Sequence, residues 1–238
     1  MIKAVIFDFI GTLTAVEGYE YEESIHRMHQ SLKEDGVCVD FERFAKVFEE
    51  VHEKYWMIRS EELVEVNTVV WLSEALTLLG FPYSQKDEVV KKAVDSFYEN
   101  YLHSLKARQD AKQTIEKLKA KYTIGLISNF THAPVIHSGL KNLGLNHFFK
   151  AILISAEVGW RKPHPKIFQE ALRRLGAKAE ETVFVGDNPI DDVQGAKNVG
   201  MKAIFIPSQF SSLEDAQKAS CKPDAIIRQL YELINVLQ

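Results

Sequence analysis

Lys3-Ala4-Val5-Ile6-Phe7-Asp8-Phe9-Ile10-Gly11-Thr12 is an apolar run that carries a carboxylate to its C-terminal end and then turns at a glycine. An unbroken apolar run of strand length suits a strand buried on both faces, as in parallel sheets. In such sheets the chemistry gathers outside the carboxyl ends of the strands. Four further runs of this kind occupy residues 122–127, 151–154, 182–185 and 202–206, each rich in β-branched residues and closed by a polar or glycine-containing turn. Helical patterns at 134–143, 165–175 and 192–199 alternate with the later runs. The alternation predicts an α/β fold, a doubly wound parallel five-stranded sheet covered on both faces.

Residues from about 19 to 103 follow another rule. Phe41, Phe44, Phe48, Val51 and Tyr55 recur at helical spacing, as do Val90, Val94, Phe97 and Tyr101, and no strand run interrupts them. Asp35-Gly36 and Gly80-Phe81-Pro82 break the pattern as turns between helices would. The expected organisation is therefore a core built from residues 1–16 and 104–238, with residues 17–103 as an all-helical insertion of roughly four helices.

Composition sets outer limits. With 46% hydrophobic residues in 238, the chain can bury a full core, and its net charge of −4 offers no basic excess for a phosphate backbone, so nucleic acid is not an expected partner. No apolar run approaches the ~18 residues that span a bilayer, and the sequence enters a strand directly without a charged leader. A cytoplasmic protein with no membrane partner is expected. Cys38 and Cys221 stand far apart without a nearby ligand pattern, which argues against both a disulfide framework and structural zinc.

The segment from Asp8 to Thr12 resembles the first signature of the haloacid dehalogenase (HAD) superfamily, Asp-x-Asp-Gly-Thr, whose first Asp is a covalent nucleophile. Ile10 stands where most HAD phosphatases keep the second Asp, which protonates the leaving group and later activates water. Three further segments resemble the remaining signatures in order: Leu126-Ile127-Ser128-Asn129, Gly159-Trp160-Arg161-Lys162-Pro163-His164-Pro165, and Val183 through Lys197 with Gly186-Asp187 followed by Asp192. The resemblance covers the whole core, and the helical insertion after the first signature is similar to the cap of the phosphoglycolate phosphatase and 2-haloacid dehalogenase subgroup. It implies Asp8, Ser128 and Lys162 as catalytic residues, with Thr12, Asn129 and Lys162 on the substrate. For Ser128-Asn129 a plain reading as a helix cap stays open, since cap and anion site share one geometry.

Asp8 and Asp187 would lie at the ends of neighbouring strands, where clustered carboxylates repel unless a cation neutralises them. Magnesium suits that place, held by Asp8, the backbone carbonyl of Ile10 and Asp187, with Asp192 behind them. Asp192 is preferred to Asp191 because it directly precedes Val193-Gln194-Gly195-Ala196-Lys197, as the acid of the resembled signature precedes its helix. The implied activity is magnesium-dependent hydrolysis of a small phosphorylated substrate through an aspartyl-phosphate on Asp8, by a monomer or homodimer.

Ile10 leaves the leaving group without a positioned acid, and general acid–base catalysis is worth ~10²–10⁴ in rate. The sequence accommodates this through acyl or aryl phosphates, which need little protonation, or through an acid from the insertion, for which Glu17, Glu20 and His26 are candidates. Three other readings stay open. A 2-haloacid dehalogenase needs no such acid, but in that family Tyr replaces the residue at Ile10, Ser replaces Asp187, no metal is used, and a cap arginine (here Arg27, Arg43 or Arg59) binds the substrate carboxylate. A phosphonatase would use a Schiff-base lysine, with Lys33, Lys46 and Lys54 available. A pseudoenzyme would keep the phosphate and metal site without useful turnover. Tyr19, Tyr21, Trp56 and Trp71 are candidates to line a pocket or to fill the helical core.

Overall fold

A computed structural model describes residues 1–237. Its strands are β1 (Ala4–Phe7), β2 (Thr14–Val16), β3 (Leu105–Ala107), β4 (Thr123–Ser128), β5 (Ala151–Ile154), β6 (Thr182–Gly186), β7 (Lys202–Phe205) and β8 (Ala225–Ile226). Six of them form one sheet in the order β5-β4-β1-β6-β7-β8, with every pairing parallel. The sheet has one strand more than the five expected: β8 is two residues long at the edge, too short to carry a periodicity. β2 and β3 pair antiparallel as a separate ribbon, with Val16 opposite Leu105.

β1 is wholly buried and central, which is what its continuous apolar character requires. Its register sets Phe7 opposite Leu126 on β4 and opposite Val185 on β6, so the residues that follow these three strands leave the sheet side by side. One face packs Ile6, Leu153, Phe168, Phe184 and Phe205 into a common core, with the Phe168 and Phe184 rings edge to face at 5.3 Å. The helix Pro165–Leu175 covers that face because Ile167, Phe168, Ala171 and Leu175 recur on one stripe. The pattern expected at 192–199 as a plain helix is instead a π-helical turn, Pro189–Gln194, running into a short α-helix, Gly195–Asn198. Such wide turns gather at functional sites.

The chain divides into two compact units, Met1–Val16 with Leu105–Gln238, and Glu17–Ser104. The second is all helical: α1 (Tyr21–Glu34), α2 (Phe41–Glu62), α3 (Thr68–Leu78) and α4 (Glu88–Ser104). α1 buries Ile25, Met28 and Leu32, and α4 buries Val90, Val94 and Phe97, so the spacing of three and four that marks each helix also marks its inward face. Asp40 caps α2 by accepting from the Arg43 amide at 3.1 Å, and α2 ends at Leu63 in left-handed geometry. Within this unit Arg59 and Glu65 form a buried ion pair at 2.6 Å. Trp71 is only 4% exposed while Trp56 is 53% exposed, so these two candidate aromatics occupy opposite environments. Among the described residues no helix is long and apolar enough to cross a membrane, and Cys38 and Cys221 are free thiols.

Candidate active site

Asp8 follows β1 directly, and its amide continues the strand ladder by donating to the Val185 carbonyl at 2.9 Å. The register of β1 and β6 sets Asp8 beside Asp187, and the π-helical turn Pro189–Gln194 adds Asp192; all three are buried, with one carboxylate oxygen from each within 4.8 Å of the others. Lys162 Nζ lies among them, donating to Asp8 Oδ1 at 2.7 Å and to Asp192 Oδ1 at 2.5 Å. Burial alone would depress this ammonium, but Asp192 and Asp8 outweigh it and hold its pKa above the usual lysine range. Lys162 is a fixed cation.

The loop that carries Lys162 is fixed in turn. Asn129 accepts from the Lys162 amide at 2.7 Å and donates to the Lys162 carbonyl at 2.9 Å, gripping the residue by both backbone groups. Its amide nitrogen also reaches Asp191 at 3.1 Å. Asn129, expected on the substrate, is thus placed against the Lys162 backbone. Ser128 ends β4 and is buried at 1% exposure. The helix that follows begins at Ala133 with His132 before it, so Ser128 and Asn129 are not its cap.

Asp187 accepts from Thr12 Oγ1 at 3.3 Å and from Ser208 Oγ at 2.5 Å. Burial and the neighbouring Asp8 charge push its carboxyl up to about 6. Asp192 accepts from the Asn188 amide at 2.9 Å, and burial raises its carboxyl against the pull of Lys162. Gly11, in the turn after β1, and Gly186, the last residue of β6, make this crowding sterically possible. A Cβ at Gly11, whose φ is +93°, would stand 2.7 Å from Asp187 Cγ, and one at Gly186 would stand 2.5 Å from Asp192 Cβ. Asp191 lies outside this cluster, bound to Asn129.

Charge does not balance here. Three carboxylates face one ammonium, and Asp8 Oδ2 is buried without a hydrogen-bond partner among the described residues. A buried anionic oxygen left bare costs several kcal/mol or takes up a proton. An oxygen-only cluster with an unmet acceptor has the donor chemistry of a hard dication such as magnesium. Ile10, whose carbonyl was expected to help hold that ion, is half-buried and bridges to Thr14.

The family model for haloacid dehalogenase-like hydrolases matches residues 2–200. This chain is a haloacid dehalogenase-like hydrolase. Among the relatives of this hydrolase, glyceraldehyde 3-phosphate phosphatase of Methanopyrus kandleri is 30% identical over 242 residues, covering 100% of this chain and 98% of that protein. Among solved structures, a 2-haloacid dehalogenase from Pseudomonas syringae pv. Tomato DC3000 is 28% identical with a TM-score of 0.68, over 100% of this chain and 98% of that one. A HAD phosphatase from Thermococcus onnurineus is 27% identical with a TM-score of 0.63, over 99% and 98%.

The remaining candidates of the hydrolase lie in its helical unit. Glu17 and Glu20 are exposed, and His26 stacks on Phe41 at 3.8 Å. Arg27 is paired with Glu23 and Glu99, Arg43 is exposed, and Arg59 is paired with Glu65. Lys33, Lys46 and Lys54 are all exposed. Sequence reasoning overlooked Ser208 and Arg108. Arg108 is half-buried and donates to the carbonyls of Gly11 at 2.5 Å and Pro207 at 2.7 Å. Neither residue belongs to a strand-end motif, and only their polarity within loops could have marked them.

Proposed function

We propose that the chain is a magnesium-dependent phosphohydrolase acting on small phosphorylated substrates, with Asp8 as nucleophile. The observation that carries this reading is the bare Asp8 Oδ2 inside a cluster of three carboxylates held by one lysine. Asp8, Asp187 and the Ile10 carbonyl would hold magnesium, with Asp192 behind them, and the bound ion would offset charge on the phosphoryl oxygens and on Asp8 itself. An Asp8 oxygen attacks phosphorus in line, the bond from phosphorus to the leaving oxygen breaks, and water then hydrolyses the aspartyl-phosphate. Lys162, clamped by Asp192 and Asn129, contributes fixed positive charge beside the nucleophile. Ser128 supplies a hydroxyl from the neighbouring strand end.

Nothing at position 10 can protonate a departing alkoxide. The chain therefore favours acyl or aryl phosphates, whose leaving groups need little protonation. Replacing Ile10 with Asp tests this, with phosphate release followed on p-nitrophenyl phosphate, acetyl phosphate and a simple alkyl phosphate, with and without magnesium. Ile10→Asp should raise the alkyl phosphate rate by ~10² or more and the acetyl phosphate rate by clearly less, because the restored acid serves the attacking water with both substrates but the leaving group with the alkyl ester alone. Equal effects on both substrates would refute the assignment.

The likeness to a solved 2-haloacid dehalogenase supports a second reading, displacement of halide from carbon by Asp8. Asp187 weighs against it, because a dication held by Asp8 and Asp187 would withdraw electron density from the nucleophile and so disfavour displacement at carbon. Metal-independent chloride release from 2-chloropropionate would favour that reading, and silence on every substrate would favour a binding protein.

A further inference from the structure

Three consecutive residues after β7 reach into three different places. The Pro207 carbonyl accepts from Arg108 at 2.7 Å, and the same guanidinium nitrogen donates to the Gly11 carbonyl at 2.5 Å. The Ser208 hydroxyl gives its single hydrogen to Asp187 at 2.5 Å while its oxygen accepts from the amides of Phe210 at 2.9 Å and Ser211 at 3.3 Å. The turn is closed by the Ser208 amide on the Ser211 carbonyl at 2.9 Å. Gln209 then turns its side chain onto β2, accepting from the Val16 amide at 2.8 Å and donating to the Val16 carbonyl at 2.9 Å. One side-chain amide thus imitates a neighbouring strand for one residue.

Val16 is the last residue of the α/β unit before the chain enters the helical one. We propose that residues 207–211 form a strap that couples the state of Asp187 to the exit strand: Ser208 reads the carboxylate and Gln209 holds Val16 in response. Ser208 and Gln209 are positioning residues. A hydroxyl has one hydrogen, and among the described residues Ser208 donates it to Asp187, which fixes the orientation of the self-closed turn. A cation that orders Asp187 orders the turn, and with it the amide pair on Val16. The inference rests on the magnesium reading above and extends it to residues outside the carboxylate cluster.

The test follows hydrogen exchange at the Val16 amide by NMR, with and without magnesium, on the full chain. Magnesium affinity is measured by calorimetry on the same samples. In the wild-type protein magnesium should slow Val16 exchange about fivefold, the worth of one firmly held hydrogen bond. Ser208→Ala should still bind magnesium yet lose the response at Val16. Gln209→Ala should exchange Val16 fast in both conditions while its magnesium affinity stays within about twofold of wild type. Magnesium binding without any change at Val16, or an equal change in Ser208→Ala, overturns the strap and leaves the metal reading standing. No magnesium binding in the wild-type protein overturns both.

Discussion

Lys162 is the residue on which the local electrostatics turn. Its ammonium is the only positive group within hydrogen-bonding distance of both Asp8 and Asp192 among the described residues, and all three side chains are nearly inaccessible. Removing one member of a buried ion cluster leaves an uncompensated charge, at about 3–5 kcal/mol. Lys162→Met should therefore lower unfolding free energy by that order in metal-free buffer, and denaturant titration reads it directly; a loss below about 1 kcal/mol would mean that the carboxylates are already protonated. Asp187 gives a second expectation. Its folded pKa of about 6 lies above the ordinary carboxylate value, so the native state holds the proton more tightly than the unfolded chain does. The contribution is complete below the unfolded pKa and is lost as pH rises through about 6. In chelator the protein should thus lose stability from this group between pH 4 and 7, and the rise in Tm on adding magnesium should be larger at pH 7.5 than at pH 5. An equal rise at both pH values would contradict it.

Elements differ in how plainly the sequence announces them. β1 and β6 are runs of buried apolar residues with an acid directly after each, so both strand and candidate site were legible from the same few positions. β8, β2 and β3 were not, because two or three residues carry no periodicity and pairing alone defines them. Asn129 could be read as part of a signature, but its grip on the Lys162 backbone depends on where a loop 33 residues away returns, which only the fold decides. Ser208, Gln209 and Arg108 are ordinary loop residues by sequence, and long-range geometry makes them partners of Asp187, Val16 and Gly11. In the helical unit, His52 sits on α2 within 4.9 Å of the Trp71 ring, and burial together with Arg59 lowers its pKa. A lowered folded pKa means that the unfolded chain takes up the proton first. Stability from this residue is therefore full above the unfolded value near 6.5 and is lost as pH falls below it. The decline in Tm between pH 7.5 and 5.5 should be shallower in His52→Phe than in the wild-type protein; parallel declines would remove His52 from the account.

At the scale of the whole molecule, a parallel sheet with its central strand flanked on both sides delivers Asp8, Ser128 and Asp187 to one edge, and a returning loop adds Lys162. Ile10 departs from the Asp of the signature it resembles, while Asp8, Asp187 and Asp192 remain clustered. Transfer of a phosphoryl group to Asp8 is the step that separates the proposed chemistry from halide displacement and from simple binding. Rapid-quench mass spectrometry of the protein mixed with p-nitrophenyl phosphate observes it. With magnesium present, the peptide containing Asp8 should gain one phosphoryl group, and the gain should vanish in chelator and in Asp8→Asn. Nitrophenol released with magnesium while that peptide stays unmodified at every quench time would contradict a covalent route through Asp8.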